Sequence, residues 1–166
     1  PLGYITEASD GEALIGLWFD GQKFFADNLD KNHEEKQLPI FGEVNRWLDI
    51  YFSGKMPDFT PPLLMKTNEF RKAVWKIMLT IPYGKTMKYS DIAKIIAKQK
   101  GIARMSSQAI GGAVAHNSIS IIIPCHRVVG TNGSLTGYAG GIDKKVKLLQ
   151  LEKVNMSAFF IPNQLR

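Results

Sequence analysis

Apolar positions follow two rhythms along the chain, and the change between them divides it. Ala13-Leu14-Ile15-Gly16-Leu17-Trp18-Phe19, closed by Asp20-Gly21, reads as a β-strand ending in a hairpin turn, with Tyr4-Ile5 as its partner. Apolar residues at 41, 44, 47, 48, 51 and 52 then fall at helical spacing with one buried face. Three prolines in Met56-Pro57-Asp58-Phe59-Thr60-Pro61-Pro62 remove amide donors and fix φ, so neither a helix nor a central strand continues there. That segment is taken as a boundary between units over 1–62 and 63–166. The opening Pro1-Leu2-Gly3-Tyr4 reads as the interior of a strand or turn, so the sequence is expected to begin inside the native chain.

After the boundary the spacing turns helical. Thr67 is expected to cap a helix with Phe70, Val74, Ile77, Met78 and Ile81 on its apolar face, stopped by Pro82 and a Tyr83-Gly84 turn. A second helix over 90–98 would bury Ile92, Ile95 and Ile96. A third, over 106–116, carries Gly111 and Gly112 at its centre, where each glycine costs roughly 1 kcal/mol against alanine. Such a backbone invites close approach, either by a packed neighbouring helix or by nucleic acid. Helix, short turn and small-residue helix form a helix-turn-helix pattern. Ser120-Ile121-Ile122-Ile123 is read as a buried strand delivering the chain to Pro124-Cys125-His126-Arg127. A glycine-rich loop over 130–141 precedes a last helix through Val146, Leu148, Leu149 and Leu151 to Glu152. The fold class expected is α+β.

Composition narrows the chemistry. Hydrophobic residues at 45% and charged residues at 22% describe a globular chain rather than a disordered one. No run reaches the roughly 18 to 20 apolar residues of a membrane span, and a cytoplasmic protein is expected. The net charge of +6 hides an asymmetry: residues 1–62 hold 5 Lys/Arg against 11 Asp/Glu, a net of −6, and residues 63–166 hold 16 against 4, a net of +12. A segregated basic unit is what counterion release from phosphates requires. A single cysteine excludes an internal disulfide and a multi-thiolate zinc site, and His33, His116 and His126 lack metal-ligand spacing, so no metal is expected. His33 reads as a solvated loop residue.

Cys125 is the candidate nucleophile. A free thiol is mostly protonated at neutral pH, so it needs a neighbouring base or cation, and His126 and Arg127 offer one of each. In a regular strand His126 would face away from the sulfur, so the chain must bend at Pro124 or a water must bridge the two. The imidazole wants an acceptor, for which the basic unit offers Glu69, Asp91, Asp143 and Glu152.

Ile121-Ile122-Ile123-Pro124-Cys125-His126-Arg127-Val128-Val129, then Gly137-Tyr138-Ala139-Gly140-Gly141, then Leu148-Leu149-Gln150-Leu151-Glu152, resembles the signature of the O6-alkylguanine-DNA alkyltransferases of bacterial type. The resemblance covers residues 70–152 closely. It implies a small N-terminal ribonuclease-H-like domain followed by a mostly helical, winged helix-turn-helix-like domain that binds DNA and carries the chemistry. It further implies irreversible, stoichiometric transfer of the alkyl group of O6-alkylguanine, and of O4-alkylthymine, to Cys125, by a monomer acting on double-stranded DNA without a cofactor.

On that resemblance His126 is the base acting through a water, Glu152 orients it, Asn117 braces the active-site turn, and the Tyr89 hydroxyl stands beside an extruded base. Val128, Ala139, Tyr138 and Val114 would contact that base. Gly111, Gly112, Ser107, Ala109, Arg104, Gln108 and Arg127 would meet DNA. Where the family commonly carries an arginine that fills the gap left by the flipped nucleotide, this chain has Gln108, so base flipping is expected to be weaker or to be shared with Arg104. The zinc site of some members has no ligands here. The alternatives are a non-catalytic binder of alkylated DNA, a cysteine hydrolase and a transcription regulator. The first lacks the acceptor cysteine, the second leaves the basic unit and the helix-turn-helix pattern unexplained, and specific binding to one undamaged DNA sequence would mark the third.

Overall fold

A computed structural model describes residues 2–162. The Pro1 part of the strand-or-turn reading lies outside them, and residues 2–4 precede the first strand. Strands β1 (Ile5–Ser9) and β2 (Leu14–Phe19) form an antiparallel pair with Ile5 opposite Phe19. The partner strand is therefore as read from the sequence, but the hairpin turn lies at residues 10–13, not at Asp20-Gly21. The cause is local: Asp10 Oδ1 accepts from the amides of Glu12 and Ala13, both at 2.9 Å, and the Ser9 hydroxyl donates to Ala13 O at 2.6 Å. Helix α1 (Pro39–Phe52) begins with proline at its first turn and buries Ile40, Val44, Trp47, Leu48 and Tyr51.

Helix α2 (Glu69–Met78) is capped by Asn68, whose side chain accepts from the Arg71 amide, rather than by Thr67. Helix α3 (Tyr89–Lys100) buries Ile92, Ala93, Ile96 and Ala97, while Ile95, expected inside, is 36% exposed. Helix α4 (Ser107–Ala115) is capped by Ser106 and packs on α2 and α3, with Trp75 Nε1 donating to Ala113 O at 2.9 Å. Short strands β3 (Met87–Lys88) and β4 (Val128–Val129) pair in parallel, and α5 (Ile142–Leu151) closes the unit.

The expected strand over 120–123 is not formed. Ile121 sits at φ 70°, a strained conformation for a β-branched residue, and the segment turns under the end of α4. Asn117 enforces the turn: its amide donates to Ile123 O at 2.8 Å and Ile119 O at 3.3 Å, and its oxygen accepts from the Ile119 amide at 3.0 Å. The outer edge of β2 receives this segment, with the Leu17 amide donating to Ser118 O at 2.7 Å and the Ser120 amide to Leu17 O at 2.9 Å. The largest hydrophobic cluster of the described residues then runs across the proline-rich segment. Leu14, Leu17, Phe19, Val44 and Tyr51 from the first part pack with Val74, Trp75, Ile92, Ile110 and Cys125 from the second.

Candidate active site

Pro124 ends the buried turn, and Cys125–Arg127 forms one turn of 3-10 helix rather than a strand end. The regular strand alternation expected there is therefore absent. Both are buried, at 5% and 0% exposure. His126 Nε2 and Glu152 Oε2 stand 2.5 Å apart, so the ring proton on Nε2 is shared with the carboxylate and Nδ1 is left as the acceptor nitrogen. That Nδ1 is buried and has no hydrogen-bond partner among the described residues. Burial holds the imidazole below its ordinary pKa, and Arg127 and Lys145 act in the same direction against the pull of Glu152. The resting ring is thus a neutral base with a free lone pair.

Glu152, at the C-terminal end of α5, is a hub. Its Oε1 accepts from Arg127 Nε at 2.8 Å and from the Gly84 amide at 2.9 Å. Its Oε2 accepts from the Tyr51 hydroxyl at 2.6 Å and Arg127 Nη2 at 3.1 Å, besides His126. Burial alone would raise this carboxyl, but the hydrogen bonds and charges of His126 and Arg127 prevail and hold it at about 2. Gly84 reaches the carboxylate because it takes φ 77°, and a side chain there would press on Glu152 O at 3.1 Å.

Arg127 corrects the sequence reading. It was placed at the DNA surface, yet it is 9% exposed, with Nη1 donating to Ile81 O at 2.7 Å and the rest of the fork on Glu152. A guanidinium so paired compensates the buried carboxylate and cannot reach a phosphate.

Burial raises the Cys125 thiol above its ordinary range, while the Asn117 amide, the Lys145 ammonium and the Tyr138 hydroxyl beside it pull the other way. The resting sulfur is therefore a thiol that must hand its proton to a base. Lys145 is fully buried and donates to Val128 O at 2.6 Å and Thr136 O at 3.1 Å, and burial depresses its pKa to about 8. The Tyr89 hydroxyl donates to Thr136 O at 3.2 Å; burial, with Cys125 nearby, lifts its pKa to about 12, so it keeps its proton at neutral pH. Tyr138 is 8% exposed, and its hydroxyl lacks a partner among the described residues. Val128 and Val114 are buried, and Ala139 is half-buried with its carbonyl accepting from the Lys23 amide at 3.1 Å.

Arg104, Ser107, Gln108, Ala109 and Gly112 are exposed, and Gly111 is half-buried. A Cβ built on either glycine would meet nothing within 4 Å. The packed-helix explanation for these glycines is therefore excluded within the described chain, and their backbone lies open to an outside partner. His33 is exposed, as read, and His116 stacks on Phe24 with centroids 3.8 Å apart. No helix of the described residues is long and apolar enough to cross a membrane.

Sequence reasoning missed Tyr51 and Lys145. Lys145 shares the 145, 148, 149, 152 face of α5 with Leu148, Leu149 and Glu152, so helical spacing could have flagged a buried lysine. Tyr51 was counted among apolar positions, although a buried phenol requires a hydrogen-bond partner.

Two family models match the chain. One, described as 6-O-methylguanine DNA methyltransferase, DNA binding domain, matches residues 69–154, and the other, its ribonuclease-like domain, matches residues 1–65. A methylated-DNA–protein-cysteine methyltransferase of Methanosarcina acetivorans is 42% identical, over 92% of this chain and 93% of its own. One of the same name from Mycobacterium tuberculosis is 39% identical, over 92% and 88%. The crystal structure of Mycobacterium tuberculosis OGT in complex with DNA superposes with a TM-score of 0.77 at 38% identity, over 96% of this chain and 90% of that one.

Proposed function

The chain belongs to the 6-O-methylguanine DNA methyltransferase family, and from that premise we propose that it repairs DNA by direct reversal, taking the alkyl group of O6-alkylguanine onto Cys125. The observation that carries the assignment to this sulfur is the His126–Glu152 pair, which leaves Nδ1 of a neutral imidazole unbonded in the residue that follows the chain's one cysteine.

The steps follow from the groups present. A water between Sγ and His126 Nδ1 passes the thiol proton to the ring, while Glu152 steadies the imidazolium through Nε2. The thiolate attacks the sp3 carbon on O6; an S–C bond forms, the C–O bond breaks, and the electron pair leaves on guanine. The Tyr89 hydroxyl donates to that developing anion, and Lys145 favours the thiolate before attack. A thioether has no carbonyl for water to attack, so no step restores the thiol and each molecule acts once. Val128, Ala139, Tyr138 and Val114 form the seat of the extruded base, and Arg104, Ser107, Gln108, Ala109 and the Gly111-Gly112 backbone meet duplex DNA. The acidic first unit, 1–62, supports the basic second, 63–166, and the protein acts as a cytoplasmic monomer without a cofactor; O4-alkylthymine is a second substrate. An extruded base costs a few kcal/mol of stacking, which phosphate contacts by the basic unit offset.

Mass spectrometry tests the assignment. Incubation with methylated duplex DNA adds one methyl, about 14 mass units, to the peptide containing Cys125, and Cys125→Ser binds the DNA but stays unmodified. A methyl found on another residue would overturn it.

A further inference from the structure

The catalytic carboxylate is held from both sides of the proline-rich segment. Tyr51 lies on α1, in the acidic first unit, yet its hydroxyl donates at 2.6 Å to Glu152 Oε2, the same oxygen that faces His126. It also lies 3.4 Å from His126 Nε2. The ring is fixed on several sides: it stacks on Trp47 at 5.3 Å and meets Tyr83 and Phe52 edge-on at 6.1 and 5.4 Å. We propose that Tyr51 is a positioning residue for alkyl transfer, its hydroxyl sharing Glu152 Oε2 with His126, so that docking of the first unit limits the basicity of the imidazole.

This rests on the reading of Cys125 as the acceptor. Its physical basis is competition for one oxygen. A carboxylate offers about four lone-pair sites, and Glu152 already receives five donors from four residues, which leaves it no freedom to turn. The Tyr51 hydroxyl draws charge from Oε2 and so weakens the support that oxygen gives an imidazolium. Burial and the adjacent carboxylate hold the phenol far above its ordinary pKa, which keeps it a donor. The other charged or titratable groups around the pair, among the described residues, are Arg127, Lys145, Tyr83, Tyr138 and Cys125. None of them is altered when only the Tyr51 oxygen is removed.

The test is the single-turnover rate of alkyl transfer to Cys125 from a duplex carrying O6-methylguanine, measured against pH for the full chain and for Tyr51→Phe. Without the hydroxyl, Oε2 becomes the stronger acceptor and His126 takes a proton at higher pH. The acid limb of the profile should therefore move up by about half a unit or more. In a Glu152→Gln background the same substitution should give no further shift, because the effect travels through the carboxylate. A uniformly slower rate with an unmoved midpoint would mean a packing role only, and would overturn the inference, as would a shift that persists with Glu152→Gln. Should Tyr51→Phe fail to fold, the wild type still decides: a slowly exchanging Tyr51 hydroxyl proton close to the His126 Nε2 proton by NMR supports the contact, and its absence refutes it. If the wild type transfers alkyl groups and the two profiles superimpose, only the role of Tyr51 falls; if the wild type leaves Cys125 unmodified, the functional reading falls with it.

Discussion

Around Glu152, hydrogen bonds from Tyr51, Gly84, His126 and Arg127 converge on one buried carboxylate, whereas along α4 the backbone at Gly111 and Gly112 faces open space. The carboxylate of the first region is satisfied within the chain, and the network's one open position among the described residues is His126 Nδ1. The second has given up helix propensity without any internal contact in return. A buried network that is complete fixes geometry, and breaking one member leaves an uncompensated charge. An open small-residue face costs stability in isolation and repays it only through an external surface. The two regions should therefore respond to substitution in opposite ways.

The largest effect is expected from Arg127→Met, which strands the Glu152 charge in the core. It should cost about 3 to 5 kcal/mol in chemical denaturation, well beyond a surface arginine. The acid dependence of stability should change with it. A carboxyl lowered from 4.5 to about 2 contributes stability that is complete above its unfolded value and is lost as pH falls through that range toward 2. Removing Arg127 raises the folded-state value and flattens that acid slope. A small, pH-independent loss would place Arg127 outside the network.

A smaller effect of opposite sign is expected from Gly112→Ala. With nothing within 4 Å of the added methyl, helix propensity should raise stability by about 1 kcal/mol, while affinity for duplex DNA falls. Unchanged affinity in a filter-binding titration would show that no backbone approaches that position. The smallest effect is that of Gln108→Arg on the exposed start of α4. It adds one cation, so the plot of log affinity against log salt should steepen by about one, with tighter binding at low salt. An identical slope would remove position 108 from the DNA face.

The contrast also explains what the sequence made legible. Several local signals held, among them the spacing of α1, the start and glycine-bearing centre of α4 and the Cys125-His126 adjacency, each written within one or two turns of chain, whereas the Asp20-Gly21 turn and the Thr67 cap, equally local, did not. The resemblance extended that reading to Glu152, 26 residues beyond His126. What sequence reasoning lost was long-range or competitive. Ile121-Ile122-Ile123 has strand propensity, but the Asn117 side chain offers the backbone a turn, and tertiary hydrogen bonding prevailed over propensity. Arg127 looked like one more cation of a basic unit until the fold turned it toward Glu152. Tyr51 lies 101 residues from its partner, and no local pattern announces that contact.

The central claim is that Cys125 accepts one alkyl group and is spent. Counting methyl groups transferred per protein chain from an excess of methylated duplex, followed to completion, tests it most directly. The account predicts a plateau at one equivalent, coincident with loss of the free thiol. Continued transfer past one equivalent, or a plateau reached while the thiol stays titratable, would contradict it.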